Sequence, residues 1–169
     1  MIPAVSTRFQ RAVLVAVFAL LMVPAAGARA EGRSPIVDVP SSSAEMAAAI
    51  ARARATLPVF WASYEAPRSS ETGHSLKVRF PTPKNGGEHI WIGDVKKLEG
   101  GLYSGRLANA PRDIPGKKAG DLVEFKDADI SDWMFMRSGK IVGGETVKLL
   151  LKSLPKADAD ALRARMETP

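Results

Sequence analysis

Apolar and polar residues alternate most cleanly along Ser75-Leu76-Lys77-Val78-Arg79-Phe80. A period of two predicts a strand covered on one side, with Leu76, Val78 and Phe80 toward a core and Lys77 and Arg79 toward water. Upstream, Met46, Ile50, Ala53 and Leu57 recur at steps of four, three and four, the stripe of a helix that docks on a sheet. Ser42-x-x-Glu45 has the spacing of a capping box for its start, and Pro58 marks its end. Val59 to Tyr64 is aromatic-rich and too short for periodicity to decide, so it reads as a short strand or an aromatic-packed extension, and Glu65 to Gly73 reads as a loop.

Downstream of Phe80 the pattern is that of successive hairpins. Asn85-Gly86-Gly87 is a turn into a strand from Glu88 to Leu98, and Glu99-Gly100-Gly101 turns into Leu102 to Leu107. A proline-containing loop, Ala108 to Gly116, leads to strands at Leu122 to Lys126 and Asp132 to Arg137, and Ser138-Gly139 turns into Lys140 to Val142. In the segment after Asp132, Trp133 and Phe135 fall on one face and Met134 and Met136 on the other, which predicts a strand covered on both sides. Gly143-Gly144 then breaks the ladder before a helical region, Thr146 to Leu154, that Pro155 divides from a second helix at Ala157 to Met166. The expectation is an α+β domain: an antiparallel sheet of five to six strands packed with an N-terminal helix and one or two C-terminal helices.

The first residues change the picture of where such a domain works. Arg8 and Arg11 precede an uncharged run from Ala12 to Val23, followed by small residues ending Ala28-Arg29-Ala30. Residues 1–30 therefore read as a secretory signal cleaved after Ala30, or after Ala28, since the run is shorter than the roughly 20 residues a membrane span needs. Residues 31–41 read as a flexible leader and 42–169 as the domain, in the periplasm or outside the cell and with no stable membrane anchor after cleavage. Loss of Arg8, Arg11 and Arg29 lowers the net charge from +6 to +3, which serves solubility and gives no reason to expect nucleic acid. The chain has no cysteine, so neither disulfides nor thiolate chemistry is expected.

Five ordered motifs carry a family likeness: Glu88-His89-x-Trp91; Gly101-x-Tyr103-x-Gly105-x-Leu107-x-Asn109-x-Pro111; Gly120-Asp121; Ile130-x-Asp132-Trp133-Met134; and Gly143-Gly144-x-Thr146. Together, over about residues 58–155, they resemble the bacterial family called domain of unknown function 2314. The resemblance implies a small single domain, often exported, with no established activity, cofactor or catalytic residue. Some similar domains occur near toxin and immunity systems, which makes protein binding an expectation. Glu145 stands where an aromatic residue is expected between Gly144 and Thr146, so no ligand contact by a ring is expected there.

For chemistry, the catalytic candidates are His89 with Glu88 or Asp132, a hydrolase-like arrangement. Strand geometry opposes the first pairing, because neighbours point to opposite faces and His89 shares its face with Trp91 rather than Glu88. Asp132 also suits a structural carboxylate that accepts N–H bonds at a turn, and Thr146 suits the start of a helix whose free N–H groups could hold an anion. His74 and His89 lack metal-ligand spacing, and no serine, Ser104 included, sits in a nucleophile turn; neither metal nor cofactor is expected. The expected function is a non-enzymatic binding or interaction module of the cell envelope, meeting an envelope protein or small ligand through His89, Trp91, Tyr103, Asn109, Trp133 and Thr146. A hydrolase-like enzyme and a purely structural envelope protein are the alternatives.

Overall fold

A computed structural model describes residues 44–82 and 87–167. The signal segment, the leader, Ser42 of the capping box and the Asn85-Gly86 turn lie outside the described residues. Six strands form one antiparallel sheet: β1 (Glu71–Phe80), β2 (Glu88–Lys97), β3 (Leu102–Leu107), β4 (Leu122–Lys126), β5 (Ile130–Arg137) and β6 (Lys140–Gly143). Their spatial order is β4-β3-β2-β1-β5-β6. Helices α1 (Ala44–Ala55) and α2 (Leu57–Glu65) precede the sheet, and α3 (Glu145–Leu150) and α4 (Lys156–Arg165) follow it. The α+β architecture expected from the patterning is the one observed.

Register fixes the two faces. Leu76 opposes Ile92 on one side and Trp133 on the other, and Val78 opposes Ile90, so these side chains share the inner face with Phe135 and Leu107. Helices α1 and α2 cover that face: the Trp133 indole N–H donates to the Ala53 carbonyl at 2.8 Å, and fully buried Phe60 lies 6.1 Å from the Trp133 ring. Gly105 belongs to the same face because a Cβ there would come within 2.4 Å of Ile92 Cγ2. Trp61 of α2 stacks on Tyr103 at 5.1 Å and Tyr103 on Phe125 at 5.6 Å, which extends the aromatic core to the β4 edge.

Four expectations need correction. Pro58 does not end the helical region; α1 stops at Ala55 and Pro58 sits in the first turn of α2, where its missing N–H costs nothing. Val59 to Tyr64 is accordingly helical, because Leu57, Phe60 and Tyr64 at steps of three and four turn one aromatic stripe onto the sheet. The supposed loop before Ser75 is partly strand, since Glu71 and Thr72 pair with Arg137 and Met136. The stripe of α1 is also displaced slightly: Met46, Ala49 and Ala53 are its buried residues, and Ile50 is half-buried. At the far end of the sheet, Met134, Ile141, Ala159, Leu162 and Met166 are buried outside the main cluster, and Met166 bridges to Ile141.

Candidate functional site

On the outer face, cross-strand pairs set Lys77 beside Trp91 and Asp132, and Arg79 beside His89. Lys77, which alternation assigned to water, is therefore half-buried, with the start of α3 against it. Gly143 and Gly144, at φ 83° and 69°, make the turn that places α3 there. Its first N–H groups do hold an anion, and the anion is Asp132. One carboxylate oxygen of Asp132 accepts from the Trp133 N–H at 2.8 Å and the Glu145 N–H at 3.1 Å. The other accepts from the Thr146 N–H at 2.8 Å and the Thr146 hydroxyl at 2.6 Å. Lys77 Nζ then donates to Thr146 Oγ1 at 3.1 Å and lies 5.6 Å from the centre of the Trp91 ring.

Asp132 is only 1% exposed, and burial pushes its pKa up, while bonds from Thr146 and Trp133 and the charge of Lys77 pull it down. All four of its contacts are donors, so the site is built for the ionised carboxylate, whose lone pairs accept all of them. Burial lowers the pKa of Lys77, with Asp132 opposing.

His89 faces another partner. Ser131 Oγ donates to the Lys77 carbonyl at 3.0 Å, and its only proton is thereby used. The 2.8 Å contact between His89 Nδ1 and Ser131 Oγ is therefore a donation by His89, which fixes the Nδ1–H tautomer. Burial, with the charges of Lys77 and Arg79, holds the His89 pKa down at about 4, so the ring is neutral near pH 7. That tautomer leaves Nε2 as the ring's acceptor, on a half-buried ring that shares its face with Trp91.

The other candidates divide between places. Glu88 turns away from His89, and its carboxylate accepts the Arg112 N–H (2.9 and 3.1 Å) and Asp113 N–H (2.9 Å), tying down the β3–β4 loop. Tyr103 and Trp133 are on the inner face, and Asn109 Nδ2 donates to the adjacent Ala110 carbonyl at 3.4 Å. His89, Trp91 and Thr146 thus share a face, joined by Lys77, Ser131 and Asp132; Tyr103, Trp133 and Glu88 do not belong to it. Glu145 pairs with Arg52 and Lys148. Lys77 and Ser131 were missed because their roles depend on the β1–β5 register, which no local pattern reveals.

A second polar cluster was also missed. Ser63 Oγ of α2 donates to Glu71 at 2.9 Å and lies 2.8 Å from His74 Nε2, while Arg137 joins Glu71 to Glu167. His74 stacks on Phe135 at 4.9 Å, so the cluster ties α2, β1 and β5 together. The Arg68 N–H and the Arg137 guanidinium hold the Glu71 pKa down at about 2. Among the described residues, no group of three or more histidines and acids forms a metal-binding cluster.

Compared with known proteins, residues 43–165 match the model of the DUF2314 family, described as uncharacterized proteins conserved in bacteria. The chain belongs to the DUF2314 family. This DUF2314 protein is 38% identical over 93 residues to the uncharacterized protein YegJ of Escherichia coli K12, covering 54% of this chain and 60% of that relative. It is 32% identical over 106 residues to a putative ankyrin repeat protein of Neisseria meningitidis serogroup B, covering 59% of this chain and 42% of the relative. The chain therefore spans less than two thirds of either relative's length. No solved structure matches it.

Proposed function

We propose that this DUF2314 domain is an exported, non-enzymatic binding module of the bacterial envelope, presenting the His89–Trp91 side of its sheet to a partner. The signal-like order of residues 1–30 supports export. One observation favours binding over proton transfer: the acids proposed as partners for His89 are committed elsewhere, Glu88 to two loop N–H groups and Asp132 to four donors, three of them at the start of α3. What His89 offers is a neutral, half-buried ring held by Ser131, with one acceptor nitrogen, on the same face as a half-buried indole. An oriented acceptor next to an apolar plate is a recognition element.

Affinity capture from envelope extract, comparing the wild type with His89→Ala and Trp91→Ala, tests this reading. A partner held by the wild type and lost from both variants, with unchanged circular dichroism, is the expected result. Equal capture by all three proteins would remove this face as the binding surface.

A further inference from the structure

The outer face has two halves. Over β5 and β1 the start of α3 covers it, whereas on β2, β3 and β4 the side chains of Lys96, Arg106, Leu122, Glu124 and Lys126 are exposed. Register places them on one surface: Arg106 opposes Gly93 and Leu122, Ser104 lies between Lys96 and Glu124, and Lys126 opposes Leu102. Trp91 continues this surface along β2, and Leu122 is 56% exposed.

Many cations elsewhere on the molecule sit in ion pairs. Arg52, Lys97, Arg137, Lys148, Lys152, Lys156 and Arg163 all pair with carboxylates. Among the described residues Lys96, Arg106 and Lys126 have no such partner; Arg106 donates instead to the Gly120 carbonyl at 2.9 Å, and Glu124 opposes Ser104 between them, with Asp94 and Asp127 exposed at the flanks. Further along the same face, the charges of Lys77 and Arg79 add to burial in lowering the His89 pKa.

We infer that this open half of the sheet docks an acidic, extended segment of another polypeptide, its carboxylates on Lys96, Arg106 and Lys126 and its apolar side chains on Leu122 and Trp91. The inference rests on the binding-module reading and names the chemistry of the partner. In this register Lys126, Lys96 and Arg106 stand level with Leu102, Ser104 and Arg106 of β3, successive steps of about 7 Å along the strands, which is the spacing of alternate residues in an extended chain. Nucleic acid fits less well, since among the described residues the aromatic rings of this face are confined to His89 and Trp91 on β2, with none along the cations of β3 and β4. A membrane fits less well too, because among the described residues of these strands Leu122 is the one exposed large apolar side chain.

Binding of poly-L-glutamate, single-stranded oligothymidylate and phosphatidylglycerol vesicles to the purified chain provides the test. Two triple variants are compared: Lys96→Gln/Arg106→Gln/Lys126→Gln, and a control of equal charge, Lys152→Gln/Lys156→Gln/Arg163→Gln. The expected result is salt-sensitive binding of poly-L-glutamate that weakens about 10-fold or more in the first variant and little in the control. No binding, equal loss in both variants, or tighter binding of oligothymidylate or vesicles would overturn the inference. Capture through Trp91 that persists unchanged in the first variant would sink the acidic-partner inference and leave the binding module standing. Capture indifferent to His89→Ala and Trp91→Ala would sink the module reading itself.

Discussion

At the scale of single residues, Asp132 and Gly143 carry the most structural demand. Asp132→Asn replaces one acceptor oxygen with an amide that must face a donor, and it leaves Lys77 without its nearby charge. Urea unfolding of that variant is expected to show a loss of about 3 kcal/mol with an unchanged denaturant slope. Gly143 has φ 83°, and a Cβ there would come within 2.4 Å of the Trp133 carbonyl oxygen and 2.6 Å of its ring. Gly144 has a similar φ, yet its Cβ would meet Met166 and Val147 at ordinary distances of 3.4 Å and beyond. Gly143→Ala should therefore cost about 3 kcal/mol and Gly144→Ala about 1 kcal/mol; equal melting temperatures for the two variants would show that the Trp133 contact does not matter.

At the scale of elements, the strands were legible and the connections between helices were not. Leu102–Leu107 and Leu122–Lys126 were placed to the residue because turns bound them on both sides and their inward residues alternate. The segment from Val59 to Tyr64 was misread because aromatic residues suit strands and helices alike, and only the helical spacing from Leu57 onward separates the two. Among the site residues, His89 and Trp91 sharing a face followed from strand alternation. That Thr146 and Lys77 converge on Asp132 required the return of the chain after β6, which sequence spacing does not encode. Two neighbouring arginines of α1 show how contact decides worth. Arg54 donates to the carbonyls of Ile130 (2.8 Å) and Ala128, fastening α1 to the start of β5, whereas Arg52 meets Glu145 near the surface. Chemical denaturation should show a loss of about 1–2 kcal/mol for Arg54→Ala and within about 0.5 kcal/mol for Arg52→Ala.

At the scale of the whole molecule, the two histidines make stability depend on pH above the range where carboxylates titrate. His89 is neutral in the fold with a pKa of about 4, while in the unfolded chain it takes up a proton near pH 6.5. The unfolded state thus binds more protons between those values, so stability falls as pH drops from about 6.5 to 4 and this contribution is constant below. Discounted for the ring's partial exposure, the loss is about 1–2 kcal/mol. Burial lowers the pKa of His74 in the same direction, against the charge of Glu71. His89→Asn keeps a donor for Ser131 and removes the titration, so its unfolding free energy should change less between pH 7 and 4.5 than that of the wild type. An unchanged slope would show that His89 is not the group responsible. Glu71, held at about 2, adds a separate loss as pH falls from about 4.5 toward 2.

The two borders of the sheet are unlike. Beside β6, Met166 bridges to Ile141, the Glu167 N–H donates to the Ile141 carbonyl, and Lys140 reaches the Ala164 carbonyl. The outer side of β4 is the other border in the strand order. A foreign strand joining this sheet through its main chain is therefore directed to β4, and two copies joined there would each turn a blocked border outward. A fibre built by adding sheets edge to edge would have to displace Met166 and Glu167 from β6 at every second junction.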